Sequence, residues 1–405
     1  MDLFYLEHKK LWRKRSTRIC VFLCFSYFVI FGSILIFQWF SFGSRHDYTS
    51  AFGNDFDGYS NIRNCQEYAK KAGGELTEEA LQQLVRDYQE MIAAGREEEL
   101  KKTDWLTVEG WLGTLYPELE RKNSDVYHLM LEYVEPEMLT GIYEKREQAI
   151  VNFLEASGQT GEERDYLLNM NEKVKLPFRY EWTTGWAVFL ADILDGFGIL
   201  MALFLAIVLS AVFAGEWHNN MGSLTLTMKN GWQKIAVAKI GSGMLFAIEL
   251  FLLLFVGNVT AQICYLGTDG WDMPIQNIKM IAVAPMNILQ AEIYEYAFGL
   301  LGSIGYAGIV MLLSASVKNH AAALLLSLAV VYAPTMISQY LPLELQKALD
   351  LIPLAGSAAD IFRTNTFHLF GKYIWSPYLL ITVPVLIGIF CIPFTIKKWA
   401  RKLKG

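Results

Sequence analysis

Apolar residues in this chain come in long runs separated by polar stretches. Ile19 to about Phe40 carries no charged residue, and about 20 apolar residues suffice to cross a hydrocarbon core. The pattern predicts a first span over 19–42. Five more apolar runs follow, at about 187–214, 238–265, 291–316, 321–340 and 377–396. The expectation is an all-α polytopic membrane protein with six transmembrane helices, spans 2–6 occupying 187–396.

The polar stretches differ in kind. Residues 1–18 set Leu3, Phe4, Leu6, Leu11 and Trp12 against Lys9, Lys10, Arg13, Lys14 and Arg15. Such a helix lies in the headgroup layer of a membrane. Residues 43–186 form a large insertion with helical periodicity. Thr77 reads as an N-cap, Leu81, Leu84, Val85, Tyr88, Met91 and Ile92 follow at helical spacing, and Gly95 reads as a stop. A second helix is predicted from near Pro136 through Leu139, Ile142, Tyr143, Ile150 and Leu154 to Gly158, and a third from near Thr160. The aromatic and aliphatic content is too high for a solvated tail, so a mostly helical domain is expected. The stretches 266–290 and 341–376 contain Pro274, Pro285, Pro342 and Pro353, and predict short re-entrant or interfacial helices. Residues 397–405 form a basic tail.

Composition agrees. The chain is 53% hydrophobic and 19% charged, with a mean hydropathy of +0.26, too apolar for a typical soluble protein. The net charge of −6 hides a segregation. From 43 to 185, 28 acidic residues face 16 basic ones, a net of −12. Lys and Arg in the short flanks set the orientation. With the N-terminus inside, 1–18, 215–239, 317–320 and 397–405 hold fifteen of them, against four in 266–290 and 341–376. Both termini are therefore expected on the cytoplasmic side and the acidic insertion on the extracellular side. The first apolar run is long and lacks a small-x-small cleavage site, so it reads as a retained anchor. Cys20, Cys24, Cys264 and Cys391 fall in apolar runs and Cys65 stands alone, with no C-x-x-C pair and no disulfide framework.

Little in the chain carries catalytic chemistry, and no enzyme activity is expected. The G-x-x-x-x-G-K-[ST] string that cradles phosphates is absent, and Gly371-Lys372 lacks both the upstream Gly and the following Ser or Thr. If ATP drives transport, another polypeptide must hydrolyse it. Ser303 lies in a span, but a serine nucleophile needs a base, and all six histidines lie outside the span interiors. No H-E-x-x-H string or His/Cys cluster is present. Glu249 sits mid-span between Ile248 and Leu250. A carboxylate there faces a bundle interior, a partner or a water-filled path, so it reads either as a translocation-path residue or as a group bonded to a neighbouring helix. Asp192 with Asp195, and Glu292 with Glu295, lie near span ends, where solvation at the membrane boundary is the expectation. Gly299, Gly302, Gly305 and Gly308 favour close helix packing, within the chain ahead of a dimer seam.

The polar break between spans 2 and 3 runs from Phe213 to Lys239. It holds Glu216, then Gly222-Ser223, then helix-forming Leu224, Leu226 and Met228 before Gly231, then Lys239 at the next span. With the basic N-terminal helix, one span and a large insertion before it, this order resembles the permease subunits of type-2 ATP-binding-cassette (ABC) transporters over nearly the whole chain. Members often carry a Pro and a Ser-Arg pair before the Lys, where Asn230-Gly231-Trp232-Gln233-Lys234 stands here. The resemblance implies a second permease subunit, identical or related, and cytoplasmic ABC ATPase subunits that hold ATP and Mg, with no cofactor on this chain. It implies that Glu216, Gly222, Ser223, Leu224, Leu226 and Met228 form a coupling element within 215–239, and that 271–289 and 341–376 are extracellular re-entrant segments. Export of a peptide, an antimicrobial compound or a lipid across a bacterial cell membrane would suit the family. Membrane lipid is an expected partner and nucleic acid is not. A non-transporting membrane receptor or scaffold, sensing a ligand through the insertion, is the alternative.

Overall fold

The computed structural model describes residues 3–23, 25–26, 29–30, 58–96, 111–116, 131, 134–183, 186, 190, 194–218 and 231–404. Most of the predicted first span lies outside the described residues. The chain opens with α1 (Leu3–Arg13), and residues 15–23 are also helical.

The insertion supplies α2 (Gly58–Ala72), β1 (Gly74–Glu75), α3 (Glu78–Ala93), α4 (Ile142–Ala156), α5 (Glu162–Asn171) and β2 (Arg179–Tyr180). Thr77 caps α3, its side chain accepting from Ala80 N, while Leu81, Val85 and Tyr88 turn inward. That hydroxyl satisfies one of the amides left open at a helix start. β1 and β2 pair antiparallel, Gly74 opposite Tyr180, so residues from near the insertion's two ends lie side by side.

Five helices among the described residues are long and apolar enough to cross a membrane, as expected of a multi-pass membrane protein. They are α6 (Leu194–Leu209) continued by α7 (Ala211–His218), α8 (Gly231–Leu266), α9 (Ile288–Ser316), α10 (His320–Ile337) and, after α11 (Leu343–Asp350), α12 (Ser376–Lys404). α8 begins at Gly231 and not near 238, because nothing between Trp232 and Lys239 breaks a helix and Lys239 finds carboxylates to pair with. α12 likewise carries the basic residues from Lys397 onward as continuous helix. Asn287 and Gln290 form a reciprocal capping box at the start of α9.

α9 and α12 cross at backbone distance. A Cβ on Gly305 would stand 2.4 Å from the Pro384 carbonyl oxygen, and one on Gly308 would stand 3.0 Å from Gly388 Cα. The glycine stripe therefore packs within the chain, as small residues do where helices meet without a hydrophobic drive.

The 341–376 stretch departs from the helical expectation after α11. A 3₁₀ turn (Ala358–Phe362) leads into a hairpin of β3 (Thr366–Leu369) and β4 (Lys372–Trp375). Its two-residue turn places Phe370 at φ 52° and Gly371 at φ 76°, the positive pair that matches the twist of two-residue hairpins. The insertion does not hang free of the helices. Ile150, Leu154 and Leu167 share one buried apolar cluster with Met273, Ile275, Ile361 and Trp375 and with Ile288 and Ala291 of α9.

Candidate functional site

Of the residues predicted for coupling, Glu216 is described, while Gly222, Ser223, Leu224, Leu226 and Met228 lie outside the described residues. Glu216 ends the transmembrane stretch of α7. Its Oε1 lies 2.6 Å from Lys239 Nζ and 3.1 Å from Lys10 Nζ. Lys239 Nζ also lies 2.7 Å from Glu7 Oε2, and its side chain is 1% exposed. Two glutamates and two lysines thus join α1, the helix before the 219–230 segment and the helix after it.

Beside this network lies a cleft of about 200 Å³, lined among others by Glu7, Lys10, Lys14, Glu216 and Lys239. Burial alone would lower the Lys10 pKa, but Glu7 and Glu216 outweigh it and raise the value. Lys14 shifts the other way, lowered by burial and then by the neighbouring charges of Lys10 and Lys239. Removing one partner of such a buried pair strands the other charge, at about 3–5 kcal/mol.

Glu249 faces the same N-terminal helix. Trp12 Nε1 donates to Glu249 Oε2 at 2.8 Å, and His8 Nε2 lies 3.1 Å from Oε1. The Glu249 side chain is 34% exposed. Trp12 also sets its edge against Phe246, 5.4 Å between ring centres. A Cβ on Gly241 would come within 3.0 Å of the Phe4 ring. α1 is therefore seated along α8 from Lys239 to Glu249, with ion pairs at one end and Glu249 at the other.

Glu292 and Glu295 differ from expectation. They are 4% and 2% exposed, so they are enclosed by the chain instead of standing at a solvated boundary. Gln262 Nε2 reaches Glu292 Oε1 at 3.4 Å, and Tyr296 packs edge-on against Phe255 at 4.5 Å. Glu292 thus faces α8.

The insertion grips the segments between helices through backbone carbonyls. Arg146, 1% exposed, donates from Nε to Met280 O at 2.7 Å and from Nη2 to Ala282 O at 3.0 Å. Burial lowers its pKa to about 10. Trp111 Nε1 donates to Asn277 O at 2.8 Å, Gln159 Nε2 donates to Thr364 O, and the Thr366 hydroxyl donates to Glu163.

The sequence singles out Glu216 and Glu249, but not Lys10, Glu7 and Lys239 as the network around the first or His8 and Trp12 as the partners of the second. The available signal was Lys239 itself, a cation at the start of an apolar run that had to find carboxylates. Among the described residues, no group of three or more His, Cys, Asp or Glu side chains is arranged to hold a metal ion. Compared with known protein families, curated proteins and solved structures, the chain matches none.

Proposed function

We propose that this chain is the membrane-spanning permease subunit of an ABC transporter, with six spans, both termini cytoplasmic and the acidic insertion extracellular. Cytoplasmic ATPase subunits carrying ATP and Mg dock on the segment between α7 and α8, and a second permease subunit completes the path. The observation that supports this reading best is the Glu7–Lys10–Glu216–Lys239 network. It brackets the 219–230 segment and fastens the N-terminal helix to both helices that leave it. A push on that segment then moves three elements together, as rigid-body alternating access requires. The exported molecule is a peptide, an antimicrobial compound or a lipid.

The test is ATP hydrolysis by the complex purified from native membranes. Glu216→Gln is expected to leave the ATPase bound while uncoupling hydrolysis from the transported molecule. Hydrolysis and its response to substrate that are both unchanged in Glu216→Gln, in a complex of normal composition, would count against the network as the coupling element.

A further inference from the structure

We propose that the cleft between the insertion and the 341–376 segment binds an anionic group, a phosphate or a carboxylate, between Lys279 and Arg363. The cleft has a volume of about 520 Å³. Its walls come from stretches far apart in the chain: the end of α4, the start of α5, the 275–286 loop, α11 and the segment before β3. A pocket assembled from so many segments is held open by the fold and not by one loop.

The cleft is lined by three cations, Lys279, Lys347 and Arg363, and two carboxylates, Glu163 and Glu344. Among the described residues, two of the cations have a carboxylate partner and Lys279 is left over. Glu163 accepts from the Thr366 hydroxyl. Glu344 Oε1 lies 2.8 Å from Lys347 Nζ, which also reaches Thr366 O at 3.3 Å. Asp360, behind the cleft, stands 3.7 Å from Arg363 Nη1 and accepts from Asn365 Nδ2 at 2.8 Å. Among the described residues, Lys279 has no carboxylate within ion-pair distance. Burial lowers its pKa, and the nearby charge of Arg363 lowers it further.

Two like charges held together in a partly desolvated site repel. An anion seated between them offsets that repulsion, and a guanidinium presents paired donors that suit phosphate and carboxylate. Phe153, Ile281, Leu343 and Phe362 supply apolar wall beside the cations, and Phe153 and Leu343 are exposed at 42% and 52%. The cleft therefore suits the headgroup of an anionic amphiphile as well as a free anion. This inference is independent of the transport reading.

The experiment uses the full-length, detergent-solubilised chain, followed by thermal unfolding. Inorganic phosphate, dihexanoyl phosphatidylglycerol and dihexanoyl phosphatidylcholine are titrated separately. Saturable stabilisation by phosphate identifies a free-anion site. Stabilisation by phosphatidylglycerol alone identifies a headgroup site that also needs the apolar wall. In either case Lys279→Gln and Arg363→Gln weaken binding by about tenfold or more, the loss of one charge-assisted contact. Lys372→Gln, in the hairpin outside the cleft, binds as the unchanged chain does. Without ligand, Lys279→Gln melts no lower than the unchanged chain, because it relieves repulsion. The proposal is overturned if neither anion binds saturably, if both cleft variants bind with unchanged affinity, or if Lys279→Gln lowers the unliganded midpoint.

Discussion

Lys239 Nζ lies 2.6 Å from Glu216 Oε1, the lysine 1% exposed and the glutamate 12%. The helix that follows the 219–230 segment is thus bonded to the helix that precedes it, in an environment where water screens little. Lys239→Met leaves Glu7 without its ion-pair partner and Glu216 with Lys10 alone. The expected loss is about 3–5 kcal/mol of stability, read by denaturant unfolding in detergent. Lys239→Arg keeps the charge and retains most of the stability. A Lys239→Met variant within about 0.5 kcal/mol of the unchanged protein, the range of an ordinary surface substitution, would refute the network.

Arg146 makes the corresponding test for the insertion. Arg146→Ala removes two bonds from a guanidinium to buried carbonyls, and a loss of about 3 kcal/mol is expected. Limited proteolysis within the insertion should accelerate. Arg146→Lys restores only part of the effect, since a single ammonium lacks the planar fork that reaches Met280 O and Ala282 O together. Equal proteolysis rates for Arg146→Ala and the unchanged chain would show that the grip on the 275–286 loop is not needed.

The end of α11 carries a pH dependence. Burial pushes the Asp350 carboxyl up to about 6, and Asp360 adds to the shift. Below about 4, where the unfolded carboxyl is also protonated, Asp350 contributes no difference. Between about 4 and 6 the folded state keeps a proton that the unfolded state has released, so stability falls as pH rises through that window. Above 6 the penalty stays constant. Asp350→Asn is therefore expected to melt higher than the unchanged protein at pH 7.5 and with it at pH 3.5. A difference of the same size at both values would contradict the assignment.

Glu249 separates two roles. Gln at this position keeps an acceptor for Trp12 and a polar neighbour for His8, so α1 stays docked in Glu249→Gln. Leu removes both contacts, and Glu249→Leu is expected to loosen α1 by about 1–3 kcal/mol, read as faster proteolysis near Arg13. Transport that is unimpaired in Glu249→Gln would reduce the residue to a docking contact for α1.

The helical framework was legible because its causes are local. Long apolar runs, the Thr77 cap and the two-sided pattern of residues 3–13 each express one physical rule in a few neighbouring positions. The hairpin was not, since its turn is Phe370-Gly371 and phenylalanine does not ordinarily signal a positive φ. The burial of Glu292 and Glu295 was not legible either. It depends on tertiary packing, Gln262 of α8 reaching Glu292, and spacing within one helix does not encode what covers it. The Glu7–Lys239 contact joins residues 232 positions apart. A charge at the start of an apolar run signals the need for a partner, a signal left unused for Lys239, and only packing of α1 along α8 selects Glu7.

In the proposed function, energy enters this chain from a separate ATPase. The most direct measurement is photolabelling with 8-azido-ATP of the complex purified from native membranes through this chain. The expected result is a co-purifying polypeptide that is labelled in a Mg-dependent manner and competed by ATP, while this chain stays unlabelled. A preparation in which no co-purifying polypeptide is labelled, or in which this chain itself takes the label, would contradict it.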